Sequence, residues 1–345
     1  MKQQVKQTLS NPPTLSVVVP VHNGARWLGE TLSSIFEQSF KDFEIILVDD
    51  ASTDELRSVL ESFTDPRLNV VQLAQNVGVA EARNQGVRRA AGKYIAFCDA
   101  DDICVSNRFE VQIAFMQQRP QIGVCGTAFT CFDAIDRETV RNPCTDAEIR
   151  QLLMLGNCFG TSTIMGRAEI FHQHAFSEQL RAAEDYDLWT RLAAAGVVLA
   201  NLPESLLRYR LHSQQASQKK SEMLDQLARK IRAIYCARLL GEALLLERMQ
   251  AEVLDLTDLN MATEAVVEYC NTHTELSVLH FRFMLAWLYQ KLPQHGMRQW
   301  RQWSAMQNVL RLRLDRNYRF NIILLALLPS TLARRYFGTL IKLKR

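Results

Sequence analysis

Asp99, Asp101 and Asp102 place three carboxylates within four positions, at the end of the apolar run 94–98. Carboxylates this close repel one another unless a cation or hydrogen bonds offset the charge. A hard divalent metal such as Mg or Mn is the simplest offset, since it takes oxygen ligands and shares them with substrate phosphates. On spacing alone, a solvated acidic turn is the other reading. A second acidic pair, Asp49-Asp50, closes the apolar run 43–48, and Glu184-Asp185 opens a helical pattern. For these acids the competing reading is negative charge placed to favour a helix N-terminus.

The elements that must position these acids follow from periodicity. Ile95, Ala96, Phe97 and Cys98 show no alternation, which predicts a buried parallel strand. The C-terminal end of such a strand is where ligands sit in open α/β sheets. Upstream, 15–21 and 43–48 read as strands, 27–36 as a helix and 68–73 as a third strand. Ser52-Thr53-Asp54 has the form of a helix N-cap before Leu56, Val59, Leu60 and Phe63. Residues 80–91 read as the next helix. This alternation predicts a doubly wound, mostly parallel sheet flanked by helices. Asp49/Asp50 and Asp99/Asp101 then converge on one edge. Further on, 108–118 reads as a helix, 122–129 as a strand and 131–146 as less regular. A short strand at 162–165, a helix at 182–195 and strands at 197–202 and 205–211 complete the pattern. A polar stretch at 213–220 predicts a boundary. The expected organisation is a polar extension 1–14, an α/β domain 15–217 and a helical C-terminal region 218–345.

Apolar residues make up 48% of the 345, enough for a full core. The eight cysteines form no C-x-x-C pair and no zinc-finger spacing with His, which predicts a reduced, cytoplasmic protein. The polar N-terminus lacks the apolar core of a signal peptide. The apolar run 322–329 is far short of the roughly 20 residues that span a bilayer. The net charge of +3 is unevenly spread: residues 296–345 carry +10, leaving −7 on the remainder. A basic tail points to an anionic partner, a membrane surface or a nucleic acid. The body carries no nucleic-acid module, so no nucleic-acid partner is expected. In the tail, Trp300, Trp303, Met306, Leu310 and Leu314 recur at helical spacing, with Arg298, Arg301, Arg313, Arg316 and Arg319 mostly opposite. That pattern fits peripheral contact with the inner face of the cell membrane, or a helical subdomain packed on the core.

Six segments occur in order: V-V-P-V-H-N (18–23), V-D-D-A-S-T-D (48–54), N-V-G-V-A-E-A-R-N-Q-G (76–86), F-C-D-A-D-D (97–102), E-D-Y-D-L-W (184–189) and Y-R-L-H (209–212). Each alone is weak. Together they resemble glycosyltransferase family 2, inverting enzymes of GT-A fold, over residues 15–217. The resemblance implies transfer of a sugar from a nucleotide-sugar donor, of UDP type, to a hydroxyl of a glycan or lipid-linked acceptor. It implies that Pro20, His22, Asn23 and Asp49 line the donor pocket and that Asp50 meets the nucleobase. By the same resemblance Arg83 lies near the base or diphosphate, and Asp99 faces the ribose or donor sugar. Asp101 binds the divalent ion (Mn or Mg), and Asp102 assists or caps the next segment. His212 joins the metal or contacts phosphate. Asp185, beside Glu184, is the implied base for the acceptor hydroxyl. The Q-x-x-R-W motif of processive members is missing, which favours single addition. Three other functions stay in view: a polyprenol-phosphate sugar synthase, a nucleotidylyltransferase and an inactive sugar-nucleotide-binding scaffold. His22-Asn23-Gly24-Ala25 is a poor match to the Gly-rich phosphate loop that the nucleotidylyltransferase requires.

Overall fold

The computed structural model describes residues 12–154, 156–213, 215, 221–240 and single positions between 255 and 268. The expected basic tail at 296–345 therefore lies outside the described residues, as does the polar extension up to residue 11. The chain divides into two compact units. One comprises Met1–Cys144, Phe159–Leu188 and Val197–Lys220, the other Thr145–Cys158, Trp189–Gly196 and Ser221–Arg345.

The first unit is built on a mixed sheet. In chain order its strands are β1 (Leu15–Val21), β2 (Phe43–Asp49), β3 (Leu68–Gln72), β4 (Tyr94–Phe97), β5 (Ile103–Cys104), β6 (Ile122–Phe132), β7 (Asp136–Val140), β8 (Met165–Arg167) and β9 (Val198–Arg210). They run in the order β3-β2-β1-β4-β8-β6-β9-β5, with β7 paired to β6. The half β3-β2-β1-β4 is parallel throughout. β8 pairs antiparallel with both β4 and β6, and β5 antiparallel with β9, while β6 and β9 are parallel. The unbroken parallel run is thus confined to β1–β4.

The helices are α1 (Ala25–Phe36), α2 (Leu56–Glu61), α3 (Val79–Val87), α4 (Arg108–Gln118), α5 (Asp146–Leu153), α6 (Ala168–Gln173), α7 (Glu184–Ala194) and α8 (Ser221–Leu240). Both faces of β1, β2 and β4 are covered, which explains the lack of alternation in those strands, while β3 at the edge is largely exposed. Val17, Val19, Ile45, Leu47 and Ala96 pack with Leu28, Leu32 and Ile35 of α1 and Phe109, Ile113 and Met116 of α4. On the other face Ile46 and Val48 pack with Ala82 of α3. Gly86 lets α3 approach β1, since a Cβ there would run into Val18. Arg108 is fully buried and donates to the carbonyls of Phe97 (3.0 Å) and Ile164 (3.3 Å), fastening the end of β4 from below.

Several local readings are corrected. Asp54 does not cap its own helix: α2 begins at Leu56 with no side-chain cap, and Asp54 accepts from the Ala25 N–H of α1 at 2.8 Å. The α1 N-terminus has unpaired amides and lies within reach, so the tertiary partner wins over the local one. The α3 pattern stops at Val87, short of residue 91, before Gly92 closes on β1. Thr161–Thr163 form a 3-10 turn where a strand was expected from 162, and the strand β8 follows it. The two expected final strands are one, β9, which shifts register against β6 near Thr127 and Ala128. The irregular stretch after Cys131 contains β7.

In the second unit, α5 starts in a capping box: the Thr145 hydroxyl accepts from the Glu148 N–H, and Glu148 reaches back to Thr145. Arg150 pairs with Asp146 at 2.6 Å and donates to the Ala193 carbonyl at the end of α7. Tyr235 of α8 donates to the Arg150 carbonyl at 3.3 Å. No described helix is long and apolar enough to cross a membrane.

Candidate active site

β2 and β4 flank β1 in parallel, so their acidic C-terminal ends share one edge of the sheet. The turn after β1 begins the site. His22 places Nδ1 2.8 Å from the Asp50 carbonyl oxygen. Asn23 sits at φ 54°, a left-handed conformation that Asn tolerates, and its Oδ1 accepts from the Thr53 N–H at 2.8 Å. Pro20 lies within β1 and is buried. The β1 turn and the β2 turn are therefore tied together by backbone and side-chain bonds.

The β2 acids are both engaged. Asp49 accepts from the Ser52 N–H at 2.8 Å. Asp50 accepts from the Val77 N–H at 2.7 Å on Oδ1 and from the Gly78 N–H at 2.9 Å on Oδ2. Gly78 has φ 89°, a backbone shape that glycine adopts without penalty, and it presents its amide to Asp50. Asp50 thus clamps the turn that launches α3, and α3 carries Arg83.

Arg83 is 4% exposed. Its Nη1 donates to Glu184 Oε1 at 2.9 Å and its Nη2 to Asp99 Oδ1 at 2.8 Å. One guanidinium thus joins the acid at the end of β4 to the acid that opens α7. Burial works against its charge, but Asp99 and Glu184 outweigh it and hold Arg83 more firmly protonated than usual. Burial pushes the Glu184 carboxyl above its ordinary range, Arg83 opposes that shift, and the charge of Asp185 adds to it.

At the β4 end, the Asp99 N–H donates to the Ser162 hydroxyl at 2.9 Å. Asp101 Oδ2 lies 2.8 Å from His212 Nε2. Burial and then the charge of Asp99 raise the Asp101 pKa, with His212 acting against them. Asp102 is fully buried and faces inward, accepting from the Arg210 N–H at 3.0 Å. Its pKa is driven well up by burial and by its two acidic neighbours. His212 follows β9 and stacks on Trp27 at 5.3 Å between ring centroids. Its Nδ1 is buried without a hydrogen-bond partner among the described residues.

The structure therefore brings Asp99, Asp101 and His212 together with Arg83, Glu184 and Asp185. Asp185 accepts from Thr161 Oγ1 at 3.0 Å and from the Tyr186 N–H at 2.7 Å. Asp102 and Asp49 are turned to backbone amides. Sequence reasoning missed the neighbours that hold these groups. Arg210 donates to the Asp101 carbonyl at 2.8 Å and to Glu30 at 2.8 Å, and its guanidinium lies 4.7 Å from the Trp27 ring centroid. Thr161 and Ser162 reach Asp185 and Asp99. Arg210 stands inside Y-R-L-H and could have been singled out as a buried strand arginine needing acidic or carbonyl partners. Thr161 and Ser162 carry no local signal.

Among the described residues no group of three or more His, Cys, Asp or Glu side chains is arranged to hold a metal alone. Asp101 and His212 nevertheless fit one divalent ion with its remaining positions left to substrate oxygens. The pair offers one oxygen and one imidazole donor, and the crowded Asp101 carboxylate is the group a cation would relieve.

The family model for glycosyl transferase family 2 matches residues 16–175. The amylovoran biosynthesis glycosyltransferase AmsE of Erwinia amylovora is 30% identical over 210 residues, which is 59% of this chain and 79% of that protein. The chain belongs to glycosyltransferase family 2. This glycosyltransferase is also 29% identical to an uncharacterized glycosyltransferase of Haemophilus influenzae over 243 residues, 65% of its own length and 73% of the relative's. Of an uncharacterized glycosyltransferase of Rickettsia conorii, 32% identical over 197 residues, it covers 31%. S. aureus TarS 1-349 in complex with UDP-GlcNAc superposes with a TM-score of 0.57 at 18% identity, covering 80% of the glycosyltransferase and 84% of that TarS 1-349 chain. That likeness concerns the fold, which is the expected GT-A fold with flanking helices, its sheet mixed where a mostly parallel one was expected.

Proposed function

We propose that this glycosyltransferase moves a sugar from a UDP-type nucleotide-sugar to an acceptor hydroxyl, with inversion and with a divalent metal, in surface polysaccharide or glycolipid synthesis. The observation that carries the reading is the Asp99–Arg83–Glu184 bridge. It binds the strand-end acids to the helix that bears Asp185, so donor and acceptor chemistry meet in one place. Asp185 is the base. The acceptor oxygen bonds to the anomeric carbon, its proton passes to Asp185, and the anomeric C–O bond to the diphosphate breaks with its electron pair leaving on the nucleotide. One carboxylate suffices for this direct displacement. Asp101 and His212 would hold the metal, which supplies positive charge beside the departing diphosphate. Each oxygen of a carboxylate has two acceptor positions, so Asp50 can accept from a nucleobase N–H while it keeps its turn amides. Asp49, His22, Asn23 and Pro20 complete that side of the pocket, and Asp102 supports the Asp101 loop from beneath.

Three likenesses support the reading. TarS is described in complex with UDP-GlcNAc. The mannosyltransferase PcManGT from Pyrobaculum calidifontis, described with GDP-Man and Mn2+, superposes with a TM-score of 0.50 at 19% identity, covering 88% of this chain and 86% of its own. AmsE is named for amylovoran biosynthesis. The basic, amphipathic pattern of 296–345 supports contact with an anionic leaflet bearing a lipid-linked acceptor. The domain reading, a catalytic 15–217 followed by a helical 218–345, belongs to the same proposal.

A thermal-shift series with UDP-Glc, UDP-Gal, UDP-GlcNAc, UDP-GalNAc and GDP-Man, each with and without Mn, tests the reading. A ligand that binds only the folded state raises its melting temperature. At least one UDP-sugar is expected to raise it by several degrees, and more with Mn. No shift with any donor under either condition would remove the proposal.

A further inference from the structure

The 3-10 turn Thr161–Thr163 touches both halves of the candidate site through successive side chains. The Thr161 hydroxyl donates to Asp185 Oδ2 at 3.0 Å. The Ser162 hydroxyl accepts from the Asp99 N–H at 2.9 Å. Thr163 anchors the turn from below: its hydroxyl donates to the Gly160 carbonyl at 2.7 Å, and its own carbonyl accepts from Gln112 at 2.9 Å. All three residues are buried. A carboxylate with only one hydrogen bond can turn about its own axis. The Asp185 carboxylate is held at both oxygens, by the Tyr186 N–H on Oδ1 and by Thr161 on Oδ2. Because both anchors are fixed to backbone or core, the plane of the carboxylate is fixed too. Reaction rates fall steeply when a base is even slightly misplaced.

We infer that Thr161 is a positioning residue for the transfer, whose hydroxyl orients the Asp185 carboxylate toward the acceptor while the neighbouring Ser162 holds the donor-side loop in register. This rests on the reading of Asp185 as base.

Thr161→Val keeps the shape and removes the donor, and Thr161→Ser keeps the donor. The assay is hydrolysis of whichever of UDP-Glc, UDP-Gal, UDP-GlcNAc, UDP-GalNAc or GDP-Man the unaltered chain cleaves fastest with Mn, with water as acceptor. Thr161→Val is expected to lower kcat about tenfold or more while leaving the UDP dissociation constant within about twofold. Thr161→Ser is expected to restore kcat to within about threefold. Unchanged kcat in Thr161→Val would overturn the inference. So would a Thr161→Ser variant as slow as Thr161→Val, since only lost packing would then explain both. Melting temperatures of the two variants separate misfolding from mispositioning. Asp185→Asn distinguishes the two layers of argument. If it still hydrolyses the donor at wild-type rate, the base reading fails and this inference with it. If it is inactive while Thr161→Val is normal, this inference alone fails. Hydrolysis of no donor by the unaltered chain would remove both.

Discussion

The acidic ends of β2 and β4 look alike in sequence and lie on the same sheet edge, yet their electrostatics differ. Asp50 spends both oxygens on the Val77 and Gly78 amides, and Asp49 is held by the Ser52 amide. At the β4 end, Asp101 faces an imidazole, Asp99 a guanidinium, and Asp102 is sealed in the core. Burial, and then the charge of acidic neighbours, raises the pKa of Asp101 and of Asp102. The β2 acids are compensated by backbone dipoles that are present whether or not a ligand binds. The charged forms of Asp101 and Asp102 are disfavoured by their acidic neighbours, which the divalent ion of the proposed function would relieve. Similar strings of aspartates thus meet backbone amides in one place, and charged side chains and one another in the other.

Substitutions at the two ends sharpen this contrast. Asp101→Ala is expected to weaken Mn-dependent UDP binding about 1,000-fold, several kcal/mol, with little loss of stability. Calorimetry of UDP binding with and without Mn checks it, and UDP affinity that stays Mn-dependent and undiminished would break the comparison. Asp50→Ala is expected to lower stability by about 2–4 kcal/mol, because two backbone amides lose their acceptors. A urea midpoint unchanged from wild type would mean that the clamp on the 76–78 turn contributes nothing.

Glu184 offers a smaller, pH-dependent effect. Its folded-state pKa lies above the ordinary 4.5 because of burial. Between 4.5 and that raised value the folded chain keeps a proton that the unfolded chain has lost. Stability from this group is therefore highest below pH 4.5 and declines as pH rises through the window. Glu184→Gln is expected to flatten that slope in melting temperatures recorded from pH 4 upward. A wild-type and variant pair with parallel profiles would contradict the shift. The smallest effect is expected at Asp54→Ala, about 1 kcal/mol, from loss of the acceptor for the Ala25 N–H at the start of α1. An unaltered urea midpoint would show that this tertiary cap is replaced by water.

Much of the parallel half was legible because β1, β2 and β4 are buried on both faces and must be apolar throughout. Their flanking helices follow the same logic, since α1 and α4 present one apolar side to the sheet. The strand-end position of Asp49, Asp50, Asp99 and Asp101 followed directly. The antiparallel insertion of β8 between β4 and β6 was not legible: a three-residue strand carries too little pattern. The role of Asp54 was misread because its true partner is 29 residues away in sequence.

By itself the chain's order of residues determined which groups could carry charge, which segments had to be buried, and that acids would gather at strand ends, because burial and side-chain periodicity are local properties of a sequence. Which acids are neutralised by amides and which face one another was decided only by the tertiary structure. Arg83 meets Glu184 across 101 residues and His212 meets Asp101 across 111, and such pairings depend on how distant backbone segments are packed together. Electrostatics acts through space, so the chemistry of each carboxylate was fixed only once the fold had chosen its neighbours.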